Sequence, residues 1–315
     1  MSRRNSIIVL LFLALLLVPS LAEAKKKNPK IGLSGKFEPI TRAEMELQEV
    51  PFAPGAPAVI LFEGEEKYFD GMATGAAVTR TIYQYRVKIL DESGVEEYGD
   101  FVATYNNDIE GLKVLARTVL PDGTEIDASD NIHRDRSETG QQILSLAFPQ
   151  VQVGAILEVI IQYNFEGFYE IGWPVQGRIP ALDKLLVYSP PNNLQVQLAS
   201  ALMTPEETQP LVTMGARGQS MVWSYKDVPP ITREPNQPPL IELAKTVYIM
   251  PVAWRGPGYN IEFASDWKKW NKNEKERWDG WFRTRQAECK QLSKSITESV
   301  DGTVNKAEAL REDIK

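Results

Sequence analysis

Apolar and polar residues alternate along the middle of the chain with the period of two that is typical of β-strands. The clearest case is the segment from Ala77 to Leu90. One face of this segment carries Tyr83, Tyr85, Val87 and Ile89, and the other carries Gln84, Arg86 and Lys88. Because successive side chains of a strand point to opposite faces, the pattern predicts a half-buried β-strand.

Shorter segments with strand character recur at a spacing of roughly ten residues. The predicted strands are Ala58–Phe62, Tyr98–Tyr105, Lys113–Leu120, Thr124–Ile126, Ile156–Asn164, Lys184–Tyr188, Leu194–Leu202, Pro210–Met214, Ser220–Tyr225 and Lys245–Met250. Turns are predicted at Asp91–Gly94 and at Pro121–Gly123, where Pro-Asp-Gly is a strong hairpin signal. Many short strands without long helices between them predict a mostly β protein built as a β-sandwich. The pattern leaves open whether there is one sandwich or two.

Helical periodicity is confined to the two ends of the chain. Thr41–Glu44 has the sequence of a capping box and predicts one short helix. The charged segment from Asp266 to Val300 predicts a long helix on which four tryptophans share a stripe, and these are Trp267, Trp270, Trp278 and Trp281. We expect the stripe to pack on the sandwich or on a further domain, or to mark a partner surface if it is exposed. A second helix is predicted from Val304 to Lys315.

The N-terminus has the three regions of a secretory signal peptide. Arg3 and Arg4 supply positive charge, Ile7–Val18 is apolar, and Ala22–Ala24 has the small-x-small pattern that signal peptidase reads. The apolar run is shorter than the roughly 20 residues that a membrane span needs. The sequence therefore predicts a signal peptide at residues 1–24, cleaved after Ala24, and an extracytoplasmic protein, periplasmic or secreted, without a transmembrane span.

Charge and cysteine content exclude several classes of protein. The net charge is −7, and it becomes about −8 when Arg3, Arg4 and Glu23 leave with the signal peptide. An acidic chain repels phosphate backbones, so we predict no nucleic-acid partner. The chain has one cysteine and one histidine, which excludes an internal disulfide and the usual zinc sites. We predict no metal and no cofactor.

Cys289 and His133 do not form a recognisable catalytic pair. A nucleophilic cysteine needs a base within reach, but His133 precedes Cys289 by 156 residues and Cys289 lies inside a charged helical pattern. Around His133, the carboxylates of Asp127, Asp130 and Asp135 are candidates for a calcium or acid–base site. The segment lacks the glycine that a calcium-binding loop requires. This segment therefore predicts a solvated hairpin connection. We predict no catalytic residues and no enzymatic activity for this chain.

Three aromatic residues lie near proline or glycine in predicted loops. Trp173, Trp254 and Tyr259 could stack on sugar rings, which would make the chain a carbohydrate-binding sandwich with a polysaccharide ligand. Alternatively they close the ends of the sandwich, which the sequence favours because large aromatic side chains are mostly buried.

Several segments, taken in order, resemble a known family. They are Ala56–Phe62, Leu115–Thr124 and Phe148–Glu158, followed by Trp223–Tyr225, Val228–Pro230 and Glu234–Pro235. Together they resemble the domain of unknown function that precedes a transglutaminase-like core in exported bacterial proteins. The resemblance covers about residues 38–250. It implies an immunoglobulin-like antiparallel β-sandwich with a C-terminal helical extension.

The resemblance also implies a domain organisation. Residues 25–37 would be a flexible basic linker, 38–252 the β-sandwich domain, 263–300 a tryptophan-rich helical linker and 303–315 the start of a transglutaminase-like core. The Cys-His-Asp triad of such a core would lie beyond residue 315. We therefore expect a non-catalytic module that binds or positions a transglutaminase-like domain, another protein or a cell-envelope partner. The alternative is a fragment of a transglutaminase-like cysteine peptidase.

Overall fold

A computed structural model describes most of the chain after residue 31. The described residues are 32–73, 76–105, 109–137, 142–215, 218–232 and 234–263, with helical positions at 272, 275, 279, 286, 290, 291 and 294. Contacts divide the chain into two units, Met1–Gly32 and Leu33–Lys315, and every sheet belongs to the second.

Fifteen strands and a few short helices make up the described part of the chain. The strands are β1 (Ala58–Ala73), β2 (Ala76–Ile89), β3 (Asp100–Tyr105), β4 (Ile109–Val119), β5 (Glu125–Asp127), β6 (Ile132–Arg136), β7 (Gln142–Ala147), β8 (Ile156–Glu166), β9 (Ile171–Pro174), β10 (Ala181–Ser189), β11 (Leu194–Ala201), β12 (Leu211–Gly215), β13 (Gly218–Val228), β14 (Thr246–Gly256) and β15 (Tyr259–Glu262). The helices are α1 (Arg42–Glu46), α2 (Glu92–Tyr98), α3 (Pro205–Thr208) and α4 (Leu240–Leu243), with a 3-10 turn at Ser129–Asn131.

The strands form one large sheet and two small ones. The large sheet has the order β12-β13-β10-β1-β2-β8-β4-β5. One small sheet has the order β11-β14-β15 with β9 also on β14, and the other has the order β3-β7-β6. A mostly β fold was predicted, and it is confirmed. Among the described strands, pairing is antiparallel except between β1 and β10, which run parallel.

The main core lies between the large sheet and the two small sheets. Its fully buried members include Val87, Val159 and Leu186 from the large sheet, Leu146 from β7 and Ile249 from β14. The predicted apolar face of β2 therefore points into this core. Because one face of the large sheet packs on both small sheets, the fold is layered as a sandwich is.

The opposite face of the large sheet is also covered, by residues 33–53, which we call the N-terminal strap. Val50 of the strap packs with Val59, Leu61 and Ile156 of the sheet in a second apolar cluster. Arg86 and Lys88 on this face are therefore 6% and 2% exposed, although the alternating pattern predicted a half-buried strand. These two side chains are buried because the strap covers them and supplies their polar partners.

The predicted helix at Thr41 is confirmed together with its capping box. The Thr41 hydroxyl accepts from the Glu44 backbone N–H at 3.2 Å, and the Glu44 carboxylate accepts from the Thr41 N–H at 2.6 Å. The turn predicted at Asp91–Gly94 is instead the start of α2, which Asp91 caps by accepting from the Gly94 N–H at 2.9 Å. A Cβ at Gly94 would lie 2.2 Å from the carbonyl oxygen of Pro57, so the close approach of α2 to the chain requires glycine.

Two other predictions were wrong in detail. β1 does not end at Phe62 but continues to Ala73, and His133 lies on strand β6 rather than in a hairpin connection. β7 pairs with β6 on one side and with β3 on the other, so the polar segment around His133 is drawn into a sheet by its neighbour.

Candidate functional site

An open trough lies between β3 and the large sheet. It consists of two adjoining cavities of about 350 and 300 Å³. Five residues line both cavities, and these are Glu65, Thr104, Tyr105, Ile109 and Tyr163. Its floor comes from β1, β2 and β8, one wall comes from β3, and Tyr169–Gly172 closes one end.

The charged part of the floor is built by the second half of β1. Glu63, Glu65 and Lys67 alternate along this strand, so their side chains point to the same face of the sheet. In register, Glu65 lies opposite Tyr83 and Lys67 opposite Thr81, and Thr81 in turn lies opposite Tyr163 of β8. The strand spacing of about 4.8 Å therefore brings charged and phenolic side chains together on three adjacent strands.

Lys67 and Glu65 form an ion pair at the floor of the trough, with side chains 11% and 18% exposed. Burial alone would lower the pKa of Lys67, but the charge of Glu65 and a hydrogen bond to Tyr163 outweigh it, and its pKa lies above the ordinary value. The ammonium group is therefore retained at neutral pH.

A second ion pair lies beside the first, and it is more deeply buried. Lys184 Nζ of β10 lies 2.8 Å from Glu63 Oε2 and donates to the carbonyl oxygen of Pro174 at 3.2 Å. The same ammonium lies 5.4 Å from the centre of the Trp173 ring. Tyr83 donates to Glu63 at 3.2 Å. Burial and the negative charge of Glu63 raise the pKa of Tyr83 well above its ordinary value, so it stays a neutral donor.

The β3 wall differs from the floor because the cavity lies along the edge of the strand. Every residue from Phe101 to Tyr105 lines the trough. Successive side chains of a strand point to opposite faces, so the trough must reach the edge of the strand to border all of them, and it also extends beneath the sheet to Leu144 of β7. Phe101 also packs on Tyr85 of the floor, with ring centres 5.9 Å apart. The trough is thus an open slot between a strand edge and a charged, aromatic floor.

Three titratable groups in and beside the trough have pKa values that do not suit them to proton transfer. A general acid or base works best with a pKa near the operating pH. The pKa values of Lys67, Tyr83 and Tyr85 are instead all raised, that of Tyr85 mainly by burial. No three metal-ligating side chains cluster among the described residues.

The aromatic residues predicted as sugar-stacking candidates lie outside the trough. Trp173 and Trp254 are 4% and 8% exposed and belong to the main core. Trp254 donates to Asn193 at 3.1 Å and packs on Tyr259, with ring centres 4.6 Å apart. Trp173 lies opposite Val247, seven residues before Trp254 on β14, roughly 23 Å away along the strand. The structure does not bring the two tryptophans together.

The other residues singled out in the sequence are Ala24, Trp267, Trp270, Trp278, Trp281 and Cys289, and they lie outside the described residues. The described positions between 272 and 294 are helical, in agreement with the pattern there. No helix among the described residues is both long and apolar enough to cross a membrane.

The sequence reasoning missed the trough because it ended β1 at the first charges. A usable signal was present, since Glu63, Glu65 and Lys67 keep the period of two after the apolar run. The wall could not have been predicted in the same way, because the position of β3 depends on its pairing with β7.

One family model matches part of the chain. Residues 78–232 match the model of a Domain of Unknown Function with solved-structure structure (DUF3857). Within these bounds lie most of β2 and all of β3 to β13, so the match includes β3 and β8 of the trough but not β1. A search of the curated proteins finds no match.

Among solved structures, a protein from Parabacteroides distasonis ATCC 8503 described as a "putative protease" is similar in fold. The TM-score is 0.53 at 14% identity, over 61% of this chain and 40% of that one. The chain thus spans less than half of that protein. An M1 zinc metallopeptidase from Deinococcus radiodurans is more distant, with a TM-score of 0.32 at 8% identity over 66% of this chain and 48% of that one. The first similarity concerns the fold alone, and the second is too weak to indicate a relationship.

Proposed function

We propose that this chain is an exported, non-catalytic β-rich module that binds or positions a polypeptide or cell-envelope partner. We further propose that it serves as the N-terminal part of a transglutaminase-like protein. The trough is the observation that supports binding, because it is open along a strand edge and its floor offers both charged and aromatic groups. The raised pKa values of Lys67 and Tyr83 keep both groups protonated at neutral pH, which supports a non-catalytic role.

The trough fits a segment of polypeptide better than a compact ligand. A segment lying along β3 would contact Phe101–Tyr105 on one side and Tyr83 and Tyr163 on the other. Aromatic side chains supply a large contact area at low conformational cost, which is why they are common at protein interfaces.

Selection from a library of random linear peptides tests this function on the mature chain. Thr104→Trp fills part of the trough, whereas Thr213→Trp places the same bulk on β12, outside the trough. Peptides should be enriched on the wild type and on Thr213→Trp and lost on Thr104→Trp. Failure to enrich any peptide, or equal enrichment on Thr104→Trp, would remove the trough as a polypeptide site.

A fragment of a transglutaminase-like cysteine peptidase is the second candidate. The segment Lys306–Leu310 favours it, because it resembles the first helix of the core in such enzymes. The coding sequence beyond Lys315 decides between the two. A cysteine in a Gly-x-Cys context followed by histidine and aspartate would make the parent protein an enzyme, and a stop codon would leave the binding module.

A carbohydrate-binding function has less support, because Trp173 and Trp254 are nearly buried and present little ring surface. Titration of envelope polysaccharides against tryptophan fluorescence tests it. We expect no response.

A further inference from the structure

β3 is an edge strand whose free side faces the trough. Among the described strands it pairs with β7 alone, in the order β3-β7-β6. An edge strand presents a row of unpaired N–H and C=O groups that can pair with another chain. Edges of this kind are often blunted by charge or proline, but Phe101–Tyr105 carries neither.

The register of the β3–β7 ladder identifies the unpaired backbone groups. Phe148 N–H donates to the Gly99 carbonyl at 3.1 Å, so this is a hydrogen-bonded pair that continues the ladder. Hydrogen-bonded and non-hydrogen-bonded pairs alternate in an antiparallel ladder. Phe101, Ala103 and Tyr105 therefore bond to β7. The N–H and C=O groups of Val102 and Thr104 point away from β7, toward the free edge.

The side chains at these two positions leave the free edge accessible. Val102 is 63% exposed, and Thr104 is also exposed. Across the slot, Leu112, Ile161 and Tyr163 offer apolar contacts. The free backbone groups of Val102 and Thr104 thus lie on one side of the trough, and the apolar side chains lie on the other.

The charge of the trough determines which charged side chains it favours in an occupant. Among the described residues that line it, Glu65 and Glu170 carry negative charge and Lys67 carries positive charge. Lys67 is already paired with Glu65, whereas Glu170 is exposed at the end of the trough. The surplus of negative charge favours a basic side chain over an acidic one.

We propose that the trough binds an extended polypeptide segment of a partner protein, which adds to β3 as an extra strand and directs a lysine or arginine toward Glu170. This inference rests on the proposed function and specifies its ligand. The added strand would bond to the N–H and C=O groups of Val102 and Thr104, and its alternate side chains would enter the trough.

Two substitutions at one position separate backbone pairing from side-chain contact. Val102→Pro removes a free-edge N–H without touching the bonds to β7, and proline is tolerated where the N–H faces outward. Val102→Ala keeps that N–H and removes most of the side chain. Binding is measured with short acetylated peptides in which threonine alternates with leucine around one central lysine. We expect about a tenfold loss of affinity for Val102→Pro and little change for Val102→Ala.

Changes in the peptide provide a test that leaves the fold of the protein untouched. N-methylation of the peptide amides that face β3 should lower the affinity about tenfold, and methylation of the alternate amides should not. Replacement of the central lysine by glutamate should weaken binding by a similar factor. Glu170→Gln should reduce that preference, whereas Glu206→Gln on α3 should leave it unchanged.

The outcomes distinguish this inference from the broader function. Equal affinities for the two methylation patterns, or for Val102→Pro and Val102→Ala, would overturn strand addition. Absence of binding by the lysine peptide would overturn the proposed specificity, while peptides enriched from the random library would still support polypeptide binding. Dimerisation of the chain that is lost in Val102→Pro would show that a second copy occupies the edge, which also contradicts the proposal.

Discussion

Glu158 connects the two arginines that hold the N-terminal strap to the large sheet. Its side chain is 1% exposed and pairs with Arg86 at 2.7 Å and with Arg117 at 2.5 Å. Both guanidinium groups also donate to the carbonyl oxygen of Glu38, at 2.8 and 3.1 Å. Each arginine therefore bonds both to a buried carboxylate and to the strap. Loss of the carboxylate would leave the two arginines side by side, with Glu44 and Glu125 as their remaining ionic partners.

We predict that Glu158→Ala destabilises the protein by about 3 kcal/mol, because it removes the most deeply buried carboxylate of the network and leaves both arginines with only their more exposed partners, Glu44 and Glu125. Urea unfolding of the mature chain measures the change. Glu46→Ala is the matched control, since its pair with Arg42 is exposed and should contribute less than about 1 kcal/mol. Similar losses in both variants would mean that the buried pair contributes no more than a surface pair.

Glu44 gives the attachment of the strap a dependence on pH. Burial would raise the pKa of Glu44, but hydrogen bonds from Thr41 and Arg86 outweigh it, and the pKa lies below the ordinary value of 4.5. A carboxyl whose pKa is lowered by folding stabilises the fold above its unfolded pKa, and this contribution is lost as the pH falls through the folded value.

Wild-type protein should therefore lose more stability than Glu44→Gln when the pH is lowered from neutral to below 4.5. Urea midpoints at the two pH values measure the difference. Glu46→Gln, two residues further along the same helix, should follow the wild type. If the gap between wild type and Glu44→Gln stays constant with pH, the ionised Glu44 does not hold the strap.

At the scale of elements, the strands were easier to predict from sequence than their partners. The period of two located β2, because this strand packs an apolar face on the core. It failed for β6, whose burial is low throughout and whose strand conformation depends on pairing with β7. The period of two also did not predict the burial of Arg86 and Lys88, because it does not reveal that a segment some 40 residues earlier covers them.

One edge of the large sheet is formed by β12, an apolar strand without charged side chains. On β12, Leu211, Val212 and Met214 are 66%, 51% and 73% exposed. Among the described strands β12 pairs only with β13, so its outer edge is open. Exposed apolar edge strands are sites of self-association.

We predict that Val212→Lys reduces concentration-dependent association of the mature chain without lowering its thermal stability, because a charge at an edge opposes strand pairing between molecules. Sedimentation velocity over a range of protein concentrations measures the effect. Ser224→Lys on β13, one strand inward, controls for the added charge alone. Equal association of wild type and Val212→Lys would show that this edge is not a contact between molecules.

At the scale of the whole molecule, the large sheet is buried on both faces, by the small sheets on one side and by the strap on the other. The strap begins only nine residues after the predicted cleavage site at Ala24. If the chain is exported as we propose, the segment that is cleaved off ends close in sequence to the strap. Cleavage after Ala24 would leave the strap intact, whereas cleavage some ten residues later would remove Leu33, whose N–H donates to Glu66 at 2.7 Å.

We predict that the exported protein begins at Lys25. Expression of the full chain in a bacterial host, followed by fractionation and intact mass measurement, should give an extracytoplasmic product that lacks residues 1–24. Ala22→Leu together with Ala24→Leu should block processing, because signal peptidase reads small residues at these positions. The same pair of substitutions at Ala76 and Ala77, within β2, should leave processing unchanged. A full-length wild-type product, or a product confined to the cytoplasm, would contradict export by a cleaved signal and would remove the envelope partner from the proposed function.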